Sequence, residues 1–167
     1  MQDITEKKQT QEKILMLAQA VEQASEGIVI TDLNAAIEYV NEAFVKVMGY
    51  SKKAVIGQNP RILQSGQTPP ETYEDLWKKL SSGQHWHGEF YNKDLNGKEC
   101  VESAHIAPIY NSEGRIAHYL AVKVDITEKK QVEKELALHR YHLEEIVTER
   151  TSQLADARKQ AESANQA

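Results

Sequence analysis

The sequence predicts an α+β domain, a five-stranded antiparallel sheet with helices on one face, set between an N-terminal helix and a long C-terminal helix. Three observations carry this. All 8 glycines lie between Gly27 and Gly114, and all 4 prolines (Pro60, Pro69, Pro70, Pro108) share that window. Every aromatic except Tyr141 falls between Tyr39 and Tyr119. Five β-rich runs occur in the window, and helical runs separate the second from the third. Residues 1–24 and 128–167 lack Gly and Pro and read as uninterrupted helix, flanking a folded domain at 25–127.

Taken in order, Gly27-Ile-Val-Ile-Thr-Asp32 and Ile37-Glu-Tyr-Val40 form a hairpin across the turn Leu33-Asn34-Ala35-Ala36. Asn41 caps a helix carrying Phe44, Val45, Val47 and Met48, stopped at Gly49. The Gly- and Pro-rich stretch from Ser51 to Pro70 allows only short helical turns. Tyr73, Leu76, Trp77 and Leu80 then recur at helical spacing over Glu71–Leu80, before Ser81-Ser82-Gly83. Strands follow at Trp86–Asn92, Glu99–Tyr110 and Ile116–Ile126, joined by the turns Asp94-Leu-Asn-Gly97 and Asn111-Ser-Glu-Gly114. The helices between strands two and three are the available cover for the sheet's apolar face, and a cavity is expected between the layers.

Composition excludes several functions. At 167 residues, 40% apolar and 27% charged, with net charge −5, the chain reads as soluble and globular. No segment concentrates the positive charge that phosphate-backbone binding demands, so nucleic acid is not expected as a partner. No apolar run approaches the roughly 20 residues that span a bilayer, and no signal peptide is read. A single cysteine, Cys100, forbids an internal disulfide or a thiolate cluster. A reducing cytoplasm is the expected setting.

The run Asp-Ile-Thr-Glu-Lys-Lys-Gln occurs twice, at 3–9 and 125–131. Asp125 or Thr127 can cap the helix that follows, and Glu128 suits its positive end. The first copy has no strand before it, so the chain is expected to begin at the tail of a preceding similar domain; chance recurrence of a capped helix start is the competing explanation. Beyond Asp125, Val132, Leu136, His139, Leu143, Val147, Arg150, Leu154, Ala157, Ala161 and Ala164 step by 4, 3, 4, 4, 3, 4, 3, 4, 3. This is a heptad seam with a stutter at Leu143, a weak coiled coil suited to changing register. A helix folded against its own domain is the alternative.

With its element order, the runs Tyr39-Val-Asn-Glu-Ala-Phe44, Met48-Gly-Tyr50, Gly57-Gln-Asn-Pro-Arg-Ile-Leu-Gln64 and Asp125-Ile-Thr127 make the chain closely resemble the PAS domain family over about residues 15–130. Leu143-Glu-Glu-Ile-Val-Thr-Glu-Arg-Thr-Ser-Gln-Leu154 resembles the linker preceding the phosphoacceptor helix of hybrid sensor histidine kinases. The resemblance implies a sensory, dimerising module, homodimeric through its flanking helices, with neighbouring PAS and kinase domains in the parent. His142 is followed by Leu-Glu-Glu-Ile rather than the family's acidic residue and proline-containing turn. Neither it nor His139 is read as the phosphoacceptor, and no catalysis is assigned to this chain.

Gly57–Gln64 is similar to the flavin-holding helix of light-sensing LOV-type PAS domains. By that resemblance Asn59, Arg61, Gln64 and Asn92 contact a flavin, whereas Pro60 replaces the adduct-forming cysteine and excludes cysteinyl-flavin photochemistry. Glu102 and Lys123 stand where those domains carry an asparagine and a glutamine, which places charge beside the ring. FAD-binding redox PAS domains share Asn59-Pro60, Thr68-Pro69, Trp77, and Trp86 with Asn92. Trp86 would supply a flat partner for the ring, and Asn92, on the same strand face, hydrogen bonds to its edge. FAD is thus implied ahead of FMN. The same motifs occur in PAS domains with no known ligand, so an empty pocket or another small molecule stands beside flavin. Haem is not expected, because the helix 71–80 contains no histidine. His85 and His87 are read as an exposed polar pair rather than a metal site, His105 and His118 as partly buried strand residues, and Cys100 as an inert core thiol.

Overall fold

The computed structural model describes residues 2–166, with side chains from Ile4 onward. Met1 and the side chain of Asp3, in the first copy of the repeat, lie outside the described residues. The chain divides into two compact units, one ending at Thr127 and the other starting at Glu128.

The first unit opens with α1 (Gln2–Glu22). Ile14, Leu15, Met16 and Leu17 of this helix are all more than half exposed, so α1 is held at its C-terminal end rather than along its length. There the Tyr39 hydroxyl donates to the Glu22 carboxylate at 2.6 Å, and Lys52 pairs with the same carboxylate.

β1 (Gly27–Thr31) and β2 (Ile37–Val40) pair antiparallel. Their turn is set by Asp32, whose Oδ1 accepts from the amides of Asn34 and Ala36, both at 2.8 Å. Asn41, fully buried, caps α2 (Glu42–Met48). Its Oδ1 accepts from the amides of Ile28 and Phe44, while its Nδ2 donates to the carbonyls of Val21 and Glu26. One side chain therefore joins the end of α1, the start of β1 and the start of α2. Gly49, at φ 74°, closes α2 in the left-handed conformation that a β-carbon disfavours.

The segment from Ser51 to Pro69 contains α3 (Lys52–Val55) and a 3₁₀ turn at Pro60–Leu63, capped by Ser51 and Asn59 respectively. α4 (Pro70–Ser81) buries Leu76 and Leu80. β3 (Trp86–Lys93), β4 (Glu99–Tyr110) and β5 (Ile116–Asp125) complete a sheet in the order β2-β1-β5-β4-β3. Both connecting turns repeat the Asx chemistry of the first, through Asp94 and Asn111.

Register decides what faces inward. Phe90 and Asn92 of β3, Ala104 and Ile106 of β4, Ala121 and Lys123 of β5 and Val29 of β1 share one face, as the pairings Ala104↔Lys123, Ile106↔Ala121 and Val29↔Ala121 require. Two clusters fill that layer, one around Phe44, Met48, Val55 and Leu63, the other around Leu80, Trp86 and Phe90. The fold expected from the sequence is present, with the N-terminal helix and the long C-terminal one.

The second unit is the remainder of α5 (Thr127–Asn165). At its start the Asp125 carboxylate accepts the Thr127 amide at 2.9 Å, while Thr127 Oγ1 accepts from the amide of Val101 at 2.9 Å. The seam residues Val132, Leu136, Leu143, Val147 and Leu154 are all more than half exposed.

Candidate ligand cavity

The two clusters do not meet completely. Between them lies a cavity of about 380 Å³, within the size range of small-molecule sites. Its floor is the inner sheet face: Val29 and Thr31, Phe90 and Asn92, Ile106, and Tyr119, Ala121 and Lys123. Its opposite wall is the turn at 59–64 together with Tyr73, Leu76, Trp77 and Leu80 of α4.

Local sequence explains how that wall is held. Asn59 spends its side-chain oxygen on the Arg61 amide at 3.0 Å, fixing the turn that Pro60 begins. Thr68, buried, exchanges hydrogen bonds with the backbone of Tyr91 at 2.8 and 3.3 Å, and Ser65 donates to the Tyr91 carbonyl at 2.7 Å. A bridge between Gln64 and Asn92 continues the contact. The edge of β3 is thereby covered, and residues 64–68 are pinned across one end of the cavity.

Five of the seven residues singled out from the sequence line this space: Asn59, Arg61, Gln64, Asn92 and Lys123. Arg61 is exposed, and its guanidinium forms no ion pair among the described residues. Glu102 lies just behind the lining. Its Oε2 accepts from Asn92 Nδ2 at 2.6 Å and from Lys123 Nζ at 2.8 Å, all three residues being buried. The two charges expected beside a ligand are therefore spent on each other, and Lys123 Nζ also stands 5.6 Å from the centre of the Phe90 ring.

Trp86 departs from its expected place: it does not line the cavity. Its indole stacks on Phe90 with centroids 5.0 Å apart, and Nε1 donates to the Asp75 carboxylate of α4 at 3.0 Å. The cause is Gly88. A β-carbon there would sit 2.3 Å from the indole Cζ2, so only glycine lets the indole fold along its own strand. The ring that reaches the cavity is Phe90, stacked in turn on Tyr73 at 5.7 Å. Phe90, Tyr73 and Tyr119 were missed from the sequence. The signal available was Gly88, two residues after Trp86 on the same strand face.

The profile of the PAS domain family matches residues 25–128. This chain belongs to the PAS domain family. This PAS domain is 39% identical over 127 residues to a nitrogen fixation regulatory protein of Klebsiella pneumoniae, spanning 76% of the chain and 26% of that protein. It is 28% identical over 92 residues to a blue-light-activated histidine kinase of Erythrobacter litoralis, across 55% of the chain and 26% of the kinase. A solved light-oxygen-voltage domain studied with a flavin analogue is 27% identical with a TM-score of 0.62, covering 73% of this chain and 95% of that one. The chain thus spans about a quarter of the length of these curated relatives.

Two residues bear on the chemistry this PAS domain can support. Pro60, on the cavity wall, has no thiol. Cys100 is half-buried on the neighbouring strand, where burial and then the Glu102 carboxylate push its thiol up to about 11. No thiolate nucleophile is therefore available near neutral pH. His105 is exposed on the outer face of the sheet, not partly buried as its strand position suggests, whereas His118 is half-exposed and 3.0 Å from Glu38. Among the described residues no group of three or more His, Cys, Asp or Glu could hold a metal ion, and no helix is long and apolar enough to cross a membrane.

Proposed function

We propose that this chain is the sensory and dimerising PAS module of a two-component sensor histidine kinase, which binds a small molecule and relays its presence through a C-terminal coiled coil. Its own role is non-catalytic; phosphotransfer from ATP to histidine belongs to the parent. The observation that carries this reading is the walled cavity between sheet and α4, one of whose strands, β5, runs from Lys123 directly into the Asp125–Thr127 start of α5. Kinase relatives and the heptad seam support the relay. A change at Lys123 has two residues to travel before the helix cap, which gives ligand and helix a shared structural element.

Flavin is the ligand class that suits the lining, and the resemblance to FAD-binding redox PAS domains is what puts FAD ahead of FMN. Phe90, Tyr73 and Tyr119 offer aromatic walls, Asn92 and Gln64 offer neutral hydrogen-bonding edges, and the unpaired Arg61 at the rim suits a phosphate. Bound there, flavin would supply reversible redox chemistry. Asn92 would present its carbonyl oxygen and one remaining N–H, because Glu102 takes the other. A PAS domain that works with its cavity empty, through protein contacts alone, is the competing reading.

An absorption spectrum of freshly purified protein, repeated after refolding with FAD, tests the ligand: yellow protein with flavin bands supports it, and colourless protein after both treatments overturns it. Size exclusion with light scattering tests the relay. A dimer at high micromolar concentration is expected, and a strict monomer overturns the coiled coil.

A further inference from the structure

The face of the sheet turned away from the cavity carries a histidine pair. His87 on β3 and His105 on β4 are direct cross-strand partners. Their neighbours Trp86, Ala104 and Ile106 point inward, so period-two alternation turns both imidazoles outward, and both are exposed. The ring centroids lie 4.1 Å apart with planes inclined by 32°, and Ser103 Oγ stands 3.4 Å from His87 Nε2.

Two ring nitrogens that share a transition-metal ion at about 2.0–2.1 Å, at angles between square-planar and tetrahedral, stand roughly 2.9–3.4 Å apart. Rings centred 4.1 Å apart and inclined to one another reach that spacing by rotation about χ2, a motion open to exposed side chains. The strand ladder already fixes the two backbones, so little further ordering is needed to bring the ligands together. Imidazole nitrogen selects copper, nickel and zinc over magnesium and calcium.

We propose that His87 and His105 form a two-imidazole site for a divalent transition-metal ion, Cu²⁺, Ni²⁺ or Zn²⁺, with water completing the coordination. The site rests on the β3–β4 register alone and is independent of what the cavity holds. With two protein ligands it is an open, exchangeable site rather than a structural one.

The test uses the full chain without an affinity tag, titrated with CuSO₄ while backbone amide signals are followed by NMR, and with NiCl₂ and ZnCl₂ by calorimetry. Paramagnetic broadening centred on His87, His105 and the adjoining Ser103 and Val122 is expected. His87→Gln and His105→Gln should each weaken binding about tenfold or more, while His85→Gln and His118→Gln leave it unchanged. Broadening centred on His139 and His142 instead, or equal affinity in the wild type and the His87→Gln/His105→Gln double variant, overturns the site. All four substitutions are at exposed or half-exposed positions, and circular dichroism checks that each variant is folded.

Discussion

Glu102 and Lys123 meet at 2.8 Å at the floor of the cavity, which Lys123 lines, with only 4% and 7% of their side chains exposed. Asn92 is the third member, donating to the same carboxylate oxygen. Such a pair is costly to break and cheap to replace, because removing one partner strands the other charge in a low-dielectric interior. Lys123→Met is therefore expected to lower the unfolding free energy by about 3–5 kcal/mol. The double variant Glu102→Leu/Lys123→Met should recover most of that loss. Urea denaturation of the three proteins measures both; a double variant as unstable as the single one would contradict this account.

Asn41 is expected to be the most sensitive capping residue in the domain. Its truncation removes an N-cap, worth about 1 kcal/mol. It also leaves the Ile28 amide and the Val21 and Glu26 carbonyls without their side-chain partner, at about 1–3 kcal/mol for each group that water cannot reach. Asn41→Ala should lower stability by at least about 3 kcal/mol, and limited proteolysis should cut sooner between α1 and β1.

The clamp at the end of α1 predicts a pH dependence. Burial, and then its hydrogen bond to Glu22, pushes the Tyr39 phenol up to about 12 from 10.0. Its stabilisation is complete below pH 10 and is lost as pH rises through 12, because the folded state keeps a proton that the unfolded chain releases. Glu22 behaves oppositely: hydrogen bonding from Lys52, then from Tyr39, holds it below 4.5, so its contribution is present above that pH and is lost in acid. Denaturation midpoints should fall between pH 10 and 12 more steeply in the wild type than in Tyr39→Phe.

Cys100 should react sluggishly. With its thiol near 11, alkylation by iodoacetamide at pH 8 should run about 100-fold slower than for a thiol of ordinary pKa. The rate should climb about tenfold per pH unit until the thiol titrates.

If flavin is retained, Asn92→Ala and Arg61→Ala should each reduce the flavin-to-protein absorbance ratio, while Cys100→Ala leaves it unchanged. Trp86→Phe keeps the stack on Phe90 but loses the bond to Asp75, so it should lower stability by about 1 kcal/mol with little effect on occupancy. A loss of flavin in Trp86→Phe as large as in Asn92→Ala would place the indole back on the ligand.

Elements governed by neighbours in the chain could be read directly. Asn41 and Gly49 bracket α2, Asp94 and Asn111 build their turns, and alternation on β3 puts Trp86 and Asn92 on one face. These follow from capping, Asx geometry and strand period, which act within a few residues. The seven-residue repeat and the heptad seam belong to the same class, whereas the resemblance to LOV-type domains is what points to Lys123.

Tertiary structure alone decided what those side chains meet. Glu102 and Lys123 look like two isolated charges 21 positions apart until β4 and β5 bring them together. Trp86 reads as a ligand-facing aromatic until Gly88 lets its indole lie along β3 and reach Asp75 on another element. His87 and His105, 18 positions apart, become neighbours only through strand pairing. The sequence by itself determined where the chain bends and that Trp86 and Asn92 share a face of β3, because those are local preferences summed over short windows, whereas β5 turns Lys123 inward and leaves Val124 exposed against its apolar pattern. The identity of each partner depended on sheet register, which is set by the packing of the whole inner layer and has no short-range signature.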